Sequence, residues 1–423
     1  METAPTDRKI LVINCGSSSL KYEVYAMPSR TSLGKGLVER IGEESGVIAQ
    51  SSPRGSRREE HRFKDHHEAL AAVSRMLTDP DHGIISSMDE IAGCGHRVVH
   101  GGEHYAASVV IDAKVIEVVE AASELAPLHN PANLTGIREA QAVLPGRRHV
   151  AVFDTAFHQT LPPAAYLYGL PRELYERYRI RRYGFHGTSH RYVAAEALKL
   201  MKRSPDNTNV ISCHLGNGAS ITAIQNGLSV DTSMGFTPLE GLVMGTRSGD
   251  LDPAVLLFLM ERGYTPQELN TILNKQSGLL GLSGISNDLR DIEKAAAEGK
   301  REAVEALDVY AYRVRKYIGA YSANMVKVDI LVFTGGIGQF GVLMRERICH
   351  RLENLGMILD RDLNERVGPD PGIISRDYSR TAIVVIPTNE ELQIAIDTYE
   401  LLFGASPAGA QGSPGGGRSE SRA

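Results

Sequence analysis

The segment at residues 10–25 constrains the fold more than any other stretch of this chain. It reads ILVINCGSSSLKYEVY. The apolar run at residues 10–13 predicts a buried strand, and the alternation of Leu20, Tyr22 and Val24 with more polar neighbours predicts a half-buried one. Between them lies a turn of one glycine and three serines, followed by Lys21. Its backbone N–H groups, hydroxyls and lysine suit a phosphate group, whereas an ordinary polar hairpin turn is the alternative.

Length and composition narrow the class of protein. The chain has 423 residues, enough for two or three domains, with 42% hydrophobic and 23% charged residues, as in soluble globular proteins. A net charge of −5 argues against a nucleic-acid or anionic-membrane partner. No apolar run approaches the ~20 residues of a membrane helix, and the N-terminus lacks a signal-peptide pattern, so we expect a cytoplasmic protein. The dispersed cysteines suggest neither disulfides nor a thiolate zinc site: Cys15, Cys94, Cys213 and Cys349.

The distribution of apolar residues predicts an α/β protein with loops gathered at strand ends. Helical spacing occurs near residues 70–77 and 115–125, and short β-rich runs occur at 150–153, 210–213, 330–333 and 382–386. The charged segment 51–67 is expected to be a solvated loop or an edge hairpin rather than a binding patch. Residues 405–423, rich in glycine, serine and proline, are expected to form a disordered tail.

A second segment resembles the first. Residues 209–224 read NVISCHLGNGASITAI, again a strand, a turn of glycine, asparagine and serine, and another strand. Two phosphate-binding hairpins, one in each half of the chain, suggest duplicated domains that bind one polyphosphate from both sides. Similar hairpins also arise by chance, because Asn-Gly is common in hairpin turns.

Two arginines lie beside glycine-rich turns. Arg247 stands in GTRSGD at residues 245–250, within a long loop rich in glycine and hydroxyl residues, and Arg97 precedes Gly101 and Gly102. A planar guanidinium in such a loop suits a carboxylate or a phosphoryl group. A structural salt bridge is the alternative for Arg247.

Acidic and histidine residues mark two further loops. Asp154 follows the β-rich run at 150–153, where catalytic groups of open α/β sheets occur, although a helix cap is an equal alternative. His186 and His190 are spaced i and i+4, but the glutamate of a zinc protease motif is absent. A loop histidine that binds a phosphate beside Gly187, Thr188 and Ser189 is the better interpretation.

A rival motif occurs late in the chain. Residues 336–341 read GIGQFG, a G-x-G-x-x-G after a strand and before a predicted helix, and Asp360 follows about twenty residues later. This is the spacing of a dinucleotide-binding fingerprint, which would indicate an NAD-dependent oxidoreductase. The same turn also suits an adenosine that lies against the backbone. The chain lacks the G-x-x-x-x-G-K-[ST] motif of a P-loop.

Taken together, these segments resemble the acetate kinase family. The motifs occur in the same order along the chain as in that family, from about Lys9 to Gly404. The matching motifs lie at residues 14–21, 96–102, 128–131, 153–158, 183–190, 214–220, 231–253, 334–338 and 388–391. The resemblance implies two ribonuclease-H-like domains, the duplicated actin/hexokinase-type fold, with a nucleotide cleft between them. It places residues 1–154 and 388–404 in an N-terminal acyl and phosphate domain and 155–387 in a nucleotide-binding and dimerisation domain. It also implies a homodimer.

The resemblance assigns roles by position. The expected catalytic residues are Arg97, Asp154, His186 and Arg247. Magnesium or manganese is expected at Asn14 and Glu390. The acyl pocket is expected at Arg97, Val99, Leu128, Phe185 and Pro238. The expected nucleotide contacts are Ser17, Ser19, Lys21, His214, Leu215, Gly216, Asn217, Gly218, Gly335, Gly336, Ile337 and Gly338. One departure concerns Gln339 and Phe340, where the family usually has Glu-Asn, and this leaves nucleotide preference open.

The implied reaction is reversible phosphoryl transfer from ATP to acetate by direct in-line attack. A carboxylate is already ionised at neutral pH, so no general base is needed, and Asp154 is better assigned to positioning a metal, a water or an arginine. Arg97 and Arg247 would neutralise the two anionic reactants. Propionate or butyrate as the acceptor remains an alternative within the family. An ATP-binding module like actin or a heat-shock chaperone is a non-enzymatic alternative, against which the retained arginines and histidines argue.

Overall fold

The structure, a computed structural model, describes residues 7–127 and 129–404. Over these ranges the chain forms two mixed β-sheets, of eight and six strands, with helices on their faces. The strands of the first sheet are β1 (Arg8–Cys15), β2 (Ser19–Met27), β3 (Thr31–Glu39), β4 (Gly46–Ser52), β5 (Gly55–His61), β6 (Ile91–Val98), β7 (Val109–Val110) and β8 (Arg148–Phe153). Those of the second are β9 (Asn209–Leu215), β10 (Ala219–Gln225), β11 (Leu228–Thr232), β12 (Ile330–Thr334), β13 (Gly372–Ile373) and β14 (Ala382–Val385).

Fifteen α-helices lie in the rest of the described chain. They are α1 (His66–Leu77), α2 (Ala113–Ala121), α3 (Asn130–Val143), α4 (Pro163–Tyr166), α5 (Arg172–Tyr178), α6 (Gly187–Leu200), α7 (Ala254–Met260), α8 (Pro266–Thr271), α9 (Gly278–Ser283), α10 (Leu289–Ala297), α11 (Arg301–Asn324), α12 (Gly335–Phe340), α13 (Val342–Cys349), α14 (Arg361–Arg366) and α15 (Glu390–Phe403). Single 3₁₀ turns lie at Met88–Glu90, Ala122–Glu124, Ala156–Thr160 and Glu353–Leu355, and a π-helical turn at Ile272–Gln276. No helix of the described residues is long and apolar enough to cross a membrane.

The two sheets repeat one topology. In the first, the antiparallel strands β3, β2 and β1 are followed by β6 and β8, both parallel to β1. In the second, β11, β10 and β9 are followed by β12 and β14 in the same relation. The predicted hairpins are therefore β1–β2 and β9–β10, and they hold equivalent positions in their sheets. The predicted duplication of a ribonuclease-H-like domain is confirmed.

Alternating side chains explain why both sheets are covered on two faces. Leu11 and Ile13 of β1 pack with residues of α1 and α3, whereas Ile10 and Val12 pack on the opposite face with residues of α15. In the second sheet the two clusters divide between α11 and α6. The period of two along a strand produces this division. Because α15 comes from the C-terminal end of the described chain, both ends of that chain contribute to the first sheet.

The remaining secondary-structure predictions have clear outcomes. The strands predicted at 150–153, 210–213, 330–333 and 382–386 and the helix at 70–77 are confirmed. The helix predicted at 115–125 is α2 followed by a 3₁₀ turn. The charged segment forms the antiparallel hairpin β4–β5, with β5 at the sheet edge, as one of the two predictions had it. The predicted tail, 405–423, and Leu128 of the acyl pocket lie outside the described residues.

Candidate active site

The predicted phosphate-binding hairpin is the turn between β1 and β2. Its turn closes with a hydrogen bond from the Gly16 N–H to the Ser19 carbonyl of 2.8 Å, and Asn14 lies opposite Lys21 in the ladder. The carbonyl of Cys15 accepts the Asn133 amide at 2.7 Å, which fixes the hairpin against α3. Ser17 is exposed and Ser19 half-buried. The hairpin therefore presents its hydroxyls and Lys21 at the carboxyl end of β1.

Arg97 and Asp154 meet at the carboxyl ends of β6 and β8. Nη2 of Arg97 donates to Oδ2 of Asp154 over 3.1 Å, and the same oxygen accepts the backbone N–H of His186 over 2.9 Å. Nε of Arg97 lies 3.8 Å from Oε2 of Glu390, the first residue of α15. The other oxygen of Asp154 is buried and has no hydrogen-bond partner among the described residues. Parallel neighbouring strands that end together account for this meeting.

Glu390 occupies a strongly perturbed environment. Burial, followed by the charge of Asp154, raises the pKa of Glu390 to about 7, while Arg97 and Lys21 act in the opposite direction. Glu390 is therefore close to groups from β2, β6 and the end of β8. The structure brings Lys21, Arg97, Asp154 and Glu390 into one region, although they lie far apart in the sequence.

His186 adopts a left-handed backbone conformation, with φ of 56°, at the start of α6. Such a conformation is unfavourable for a residue with a Cβ, and the hydrogen bond from its N–H to Asp154 holds it there. Its ring stacks on that of His214 at 4.3 Å between centroids. Burial, followed by the neighbouring histidines and arginines, lowers the pKa of His186 well below its usual value, so the ring is neutral near pH 7. His214 is similar, with a pKa lowered to about 4 chiefly by burial.

Arg247 reaches the same region from the loop after β11. A Cβ built on Gly218 would lie 3.4 Å from Nε2 of His186 and 3.8 Å from Nη1 of Arg247. The Arg247 guanidinium itself donates to the Pro238 carbonyl over 3.3 Å. The positive charges of Arg97 and Arg247 both add to burial in lowering the pKa of His129 and of His186. Both guanidinium groups therefore lie close enough to His186 to act on its charge, and Arg247 borders the turn that contains Gly218.

The glycine-rich turn at residues 215–218 contacts the glycine-rich segment at residues 335–338. A Cβ on Gly335, which has a φ of +75°, would lie 2.6 Å from the Leu215 carbonyl, and one on Gly216 would lie 3.9 Å from the Gly336 amide. The close approach at Gly335 requires glycine, since any Cβ would collide with backbone. Asn217 fixes the Arg247 loop by accepting the Gly245 N–H over 2.9 Å.

A cavity of about 470 Å³ lies beside these loops. Its predicted lining residues are Gly216, Asn217, Gly336 and Ile337. Phe340 and Gly341, which belong to the GIGQFG motif noted in the sequence, also line it. Sequence reasoning did not single out the segment before and within α10 that forms the other wall, which is Asn287, Asp288, Leu289, Arg290 and Glu293. The signal available was the polar run SNDLR at residues 286–290, in which Asp288 caps α10 and pairs with Arg290.

The predicted acyl pocket is partly described. Val99 and Phe185 are each 3% exposed and belong to one apolar cluster, and Pro238 is half-buried next to Arg247. Val99 directly follows β6, which carries Arg97, and Phe185 directly precedes His186.

Two alternative interpretations lose support. Asp360 does not end a strand but caps α14 and pairs with Arg376 at 2.8 Å, so the dinucleotide spacing lacks its acidic residue at a strand end. The i, i+4 histidines do not pair as zinc ligands, because Nδ1 of His186 and Nε2 of His190 both contact the hydroxyl of Ser220, at 2.9 and 2.7 Å.

Comparison with known proteins agrees with this geometry. The model of the acetokinase family matches residues 9–396. The chain belongs to the acetokinase family. It is 54% identical to the acetate kinase of Clostridium botulinum (strain 657 / Type Ba4) over 93% of this chain and 99% of that protein. It is 53% identical to that of Halothermothrix orenii, with the same coverage. Acetokinases transfer a phosphoryl group from ATP to a carboxylate, so this member is a kinase with small-molecule substrates.

Solved acetokinase structures have the same fold. The crystal structure of Porphyromonas gingivalis acetate kinase matches with a TM-score of 0.90 and 46% identity, covering 93% of this chain and 100% of that one. A propionate kinase from Francisella tularensis matches with a TM-score of 0.87 and 41% identity over 93% and 100% of the two chains. The expected actin/hexokinase-type fold is confirmed for this acetokinase.

Proposed function

We propose that this chain catalyses the reversible transfer of the γ-phosphoryl group of ATP to acetate, giving acetyl phosphate and ADP. The observation that carries the proposal is that Arg97, through Asp154, and Arg247, beside the turn at Gly218, both lie near the neutral ring of His186. Two cations near the same ring allow an anionic carboxylate to approach an anionic phosphoryl group. The apolar side chains of Val99 and Phe185 are proposed to contact the methyl group of acetate.

The side chains of the site are proposed to act by orienting the reactants and by stabilising their negative charge. Arg97, held by Asp154, orients the carboxylate, and Arg247 approaches the equatorial oxygens of the transferring group, where charge accumulates in the transition state. The neutral ring of His186 adds a hydrogen-bond donor to the phosphoryl oxygens. The acetate oxygen attacks phosphorus as the bond to the ADP oxygen breaks, so the electron pair leaves with ADP and no proton transfer is required. Asp154 therefore acts through Arg97 and His186 and not as a base.

Magnesium, or manganese, is proposed as the cofactor. The oxygen donors of Asn14, Glu390 and, through water, Asp154 fit a hard divalent cation, and the unpartnered buried oxygen of Asp154 supports this. Bound there, the metal would neutralise phosphate charge. Lys21, Ser17 and Ser19 on the β1–β2 hairpin are proposed to bind the phosphates together with His214 and the turn at residues 215–218. The adenosine is proposed to lie in the 470 Å³ cavity against residues 335–338.

The proposed division of the chain and its assembly rest on other features. We assign residues 1–154 and 388–404 to one domain and 155–387 to the other. A homodimer is supported by α7, whose apolar side chains are unusually exposed, with Leu257 at 64% and Phe258 at 51%. A cytoplasmic location is supported by four buried cysteines that are all free thiols.

The test is a trapping assay. The protein is incubated with Mg-ATP, hydroxylamine and acetate, propionate or butyrate, and the acyl hydroxamate is measured. We expect hydroxamate from each acid, with the highest kcat/KM for acetate, because one methylene changes binding by ~1–3 kcal/mol. Absence of hydroxamate with all three acids would refute the proposal, and a preference for propionate would favour the propionate kinase alternative, which the Francisella relative supports. NADH absorbance measured in parallel tests the oxidoreductase alternative.

A further inference from the structure

A chain of hydrogen bonds leads from the cleft into the protein interior. Nδ1 of His186 lies 2.9 Å from the hydroxyl of Ser220, and the same hydroxyl lies 2.7 Å from Nε2 of His190. Nδ1 of His190 in turn lies 2.9 Å from the hydroxyl of Ser212. His190, Ser212 and Ser220 are each fully buried. Only the first member of this chain, His186, borders the cleft.

The number of protons limits how this chain can be arranged. A serine hydroxyl has one proton and two lone pairs, so Ser220 donates to at most one of the two rings. If both rings donated to Ser220, its buried hydroxyl proton would lack a partner in this chain of hydrogen bonds, and this arrangement is disfavoured. Burial keeps both histidines neutral, with one N–H each. Two consistent arrangements remain. In one, Ser220 donates to Nδ1 of His186 and accepts from Nε2 of His190, whereas in the other both hydrogen bonds are reversed.

The two arrangements present different groups to the cleft. In the first, Nε2 of His186 carries its proton and is a donor; in the second, it is a bare acceptor. The position where a Gly218 Cβ would lie is 3.4 Å from this nitrogen, so Nε2 borders the turn proposed to hold phosphates. Phosphoryl oxygens only accept hydrogen bonds, and they disfavour a bare nitrogen lone pair.

We propose that His190, acting through the Ser220 hydroxyl, holds His186 in the tautomer that carries its proton on Nε2. His190 and Ser220 are thus positioning residues, and His186 is the group that donates to the phosphoryl oxygens. Ser212 completes the arrangement by donating to Nδ1 of His190. This inference rests on the proposed function only for the identity of the anion in the cleft.

The test combines tautomer and kinetic measurements. Histidine-labelled protein with bound ADP and Mg²⁺ is analysed by long-range ¹H–¹⁵N NMR, with His186→Gln used to assign the signal. We expect a protonated Nε2 in the wild type and a mixture of tautomers in Ser220→Ala. Only molecules that carry the proton on Nε2 can donate to the phosphoryl oxygens, so we expect kcat of Ser220→Ala to fall to about the fraction of that tautomer measured by NMR, with KM for ATP and acetate little changed. Ser74→Ala, in which the lost hydroxyl bonds only within α1, is the matched control.

Variants of His190 provide a second test. His190→Gln keeps an N–H donor for Ser220 and is expected to retain more activity than His190→Leu, with circular dichroism confirming that both fold. The proposal is overturned if wild-type His186 carries its proton on Nδ1, or if kcat of Ser220→Ala equals that of Ser74→Ala. The NMR result does not depend on turnover, so it decides the tautomer even if no acetyl phosphate forms.

A second inference concerns Phe340. Phe340 and its neighbour Gln339 lie at the end of α12, and their side chains make different contacts. Gln339 donates to the Pro369 carbonyl over 3.3 Å, whereas Phe340 lines the 470 Å³ cavity while remaining 68% exposed. An exposed phenyl ring at the mouth of a ligand cavity is costly in water and gains by covering a flat apolar surface.

We propose that Phe340 stacks on the nucleotide base in this chain. The wall formed by Gly336 and Ile337 leaves the backbone accessible, since a Cβ on Gly336 would meet nothing within 4 Å. A planar base can therefore lie against this wall with Phe340 beside it. Stacking acts on the face of the ring and is tolerant of base identity. We infer that Phe340 contributes equally to the binding of adenine and guanine nucleotides.

Calorimetric titration with ADP and with GDP, without acetate, tests this inference. We expect Phe340→Ala to raise Kd for both nucleotides by about the same factor, on the order of 10-fold, and Phe340→Tyr to bind like the wild type. Tyr178→Ala, which removes an exposed ring from α5, is the control. Unchanged ADP affinity in Phe340→Ala overturns the proposal. Because no turnover is involved, a failure of the acetate assay leaves this test intact.

Discussion

Arg97 and Asp154 form a partly buried ion pair in which the Nη2 atom of Arg97 donates to Oδ2 of Asp154 over 3.1 Å. The side chain of Asp154 is 1% exposed and that of Arg97 is 19% exposed. The same carboxylate oxygen accepts the N–H of His186, so one atom sets the position of a cation from β6 and of a histidine at the start of α6. The pair thereby links the two sheets at the cleft.

Replacement of Asp154 should therefore affect stability as well as activity. Asp154→Ala leaves the partly buried Arg97 charge with only Glu390 nearby. Breaking a fully buried pair costs ~3–5 kcal/mol, and we expect a smaller loss here. Asp154→Asn keeps an acceptor for the His186 N–H and should lose less. Urea unfolding followed by circular dichroism measures both. Equal stability of Asp154→Ala and the wild type would show that Glu390, 3.8 Å from Arg97, is a sufficient partner.

Arg247→Ala should remove most of the turnover. An arginine that stabilises the charge of a transferring phosphoryl group contributes on the order of 10³–10⁵ in kcat. We expect a loss of that order, with a smaller change in KM, in the hydroxamate assay. Arg247→Lys retains the charge but not the planar guanidinium group, and its kcat should lie between those of the wild type and Arg247→Ala. Arg301→Ala, at an exposed position on α11, is the control and should match the wild type. Near-normal kcat in Arg247→Ala would contradict the assigned role.

The elements of the fold were predictable because their signals are local. Alternation along residues 20–25 and the apolar run at 10–13 reflect strands whose faces are set by a period of two, and both hairpins lie where these patterns end. The position of Asp154 followed from the same logic, since catalytic groups of open α/β sheets lie where strands end. Arg97 was noted only as a cation before a glycine turn. Their approach to each other was expected only through the family resemblance.

Other parts of the site depend on contacts that no local pattern encodes. Ser220 looks like any residue of a β-rich run, and its role arises only because β10 brings it between two rings of the loop and helix at residues 186–190. Asn287 and Arg290 belong to a polar turn that nothing in its own sequence assigns to the cavity. For Asp360 a local pattern was misleading. The segment before it resembles a strand in sequence but is a loop, and Asp360 caps α14.

Buried neutral histidines should make the protein acid-labile. Burial lowers the pKa of His158 from 6.5 to about 4. Between these values the unfolded chain binds a proton that the folded protein does not, so the stability contributed by a neutral His158 is complete above pH 6.5 and falls as the pH drops towards 4. The loss is about 1.4 kcal/mol per pH unit for one such group.

Unfolding free energies from urea titrations at several pH values measure this slope. His158→Gln can still accept from Ser229 and donate to the Phe185 carbonyl, as His158 does, and should have a shallower slope. His67→Gln is the control, because His67 is exposed and its pKa is raised by Glu139. Equal slopes in His158→Gln and the wild type would mean that His158 titrates normally in the folded protein.

The exposed apolar face of α7 should control assembly. Leu257 and Phe258 lie on adjacent positions of a seven-residue helix that leaves both at least half exposed, an arrangement typical of a surface covered by a partner. Leu257→Glu introduces a charge that a second copy of α7 or its surroundings would have to bury, so we expect the dimer to dissociate. Analytical ultracentrifugation measures the mass. The control is Leu228→Glu, which makes the same change at an exposed leucine of β11. A wild-type protein that sediments as a 46.0 kDa monomer, or a Leu257→Glu variant that stays dimeric at micromolar concentration, would exclude α7 as the interface.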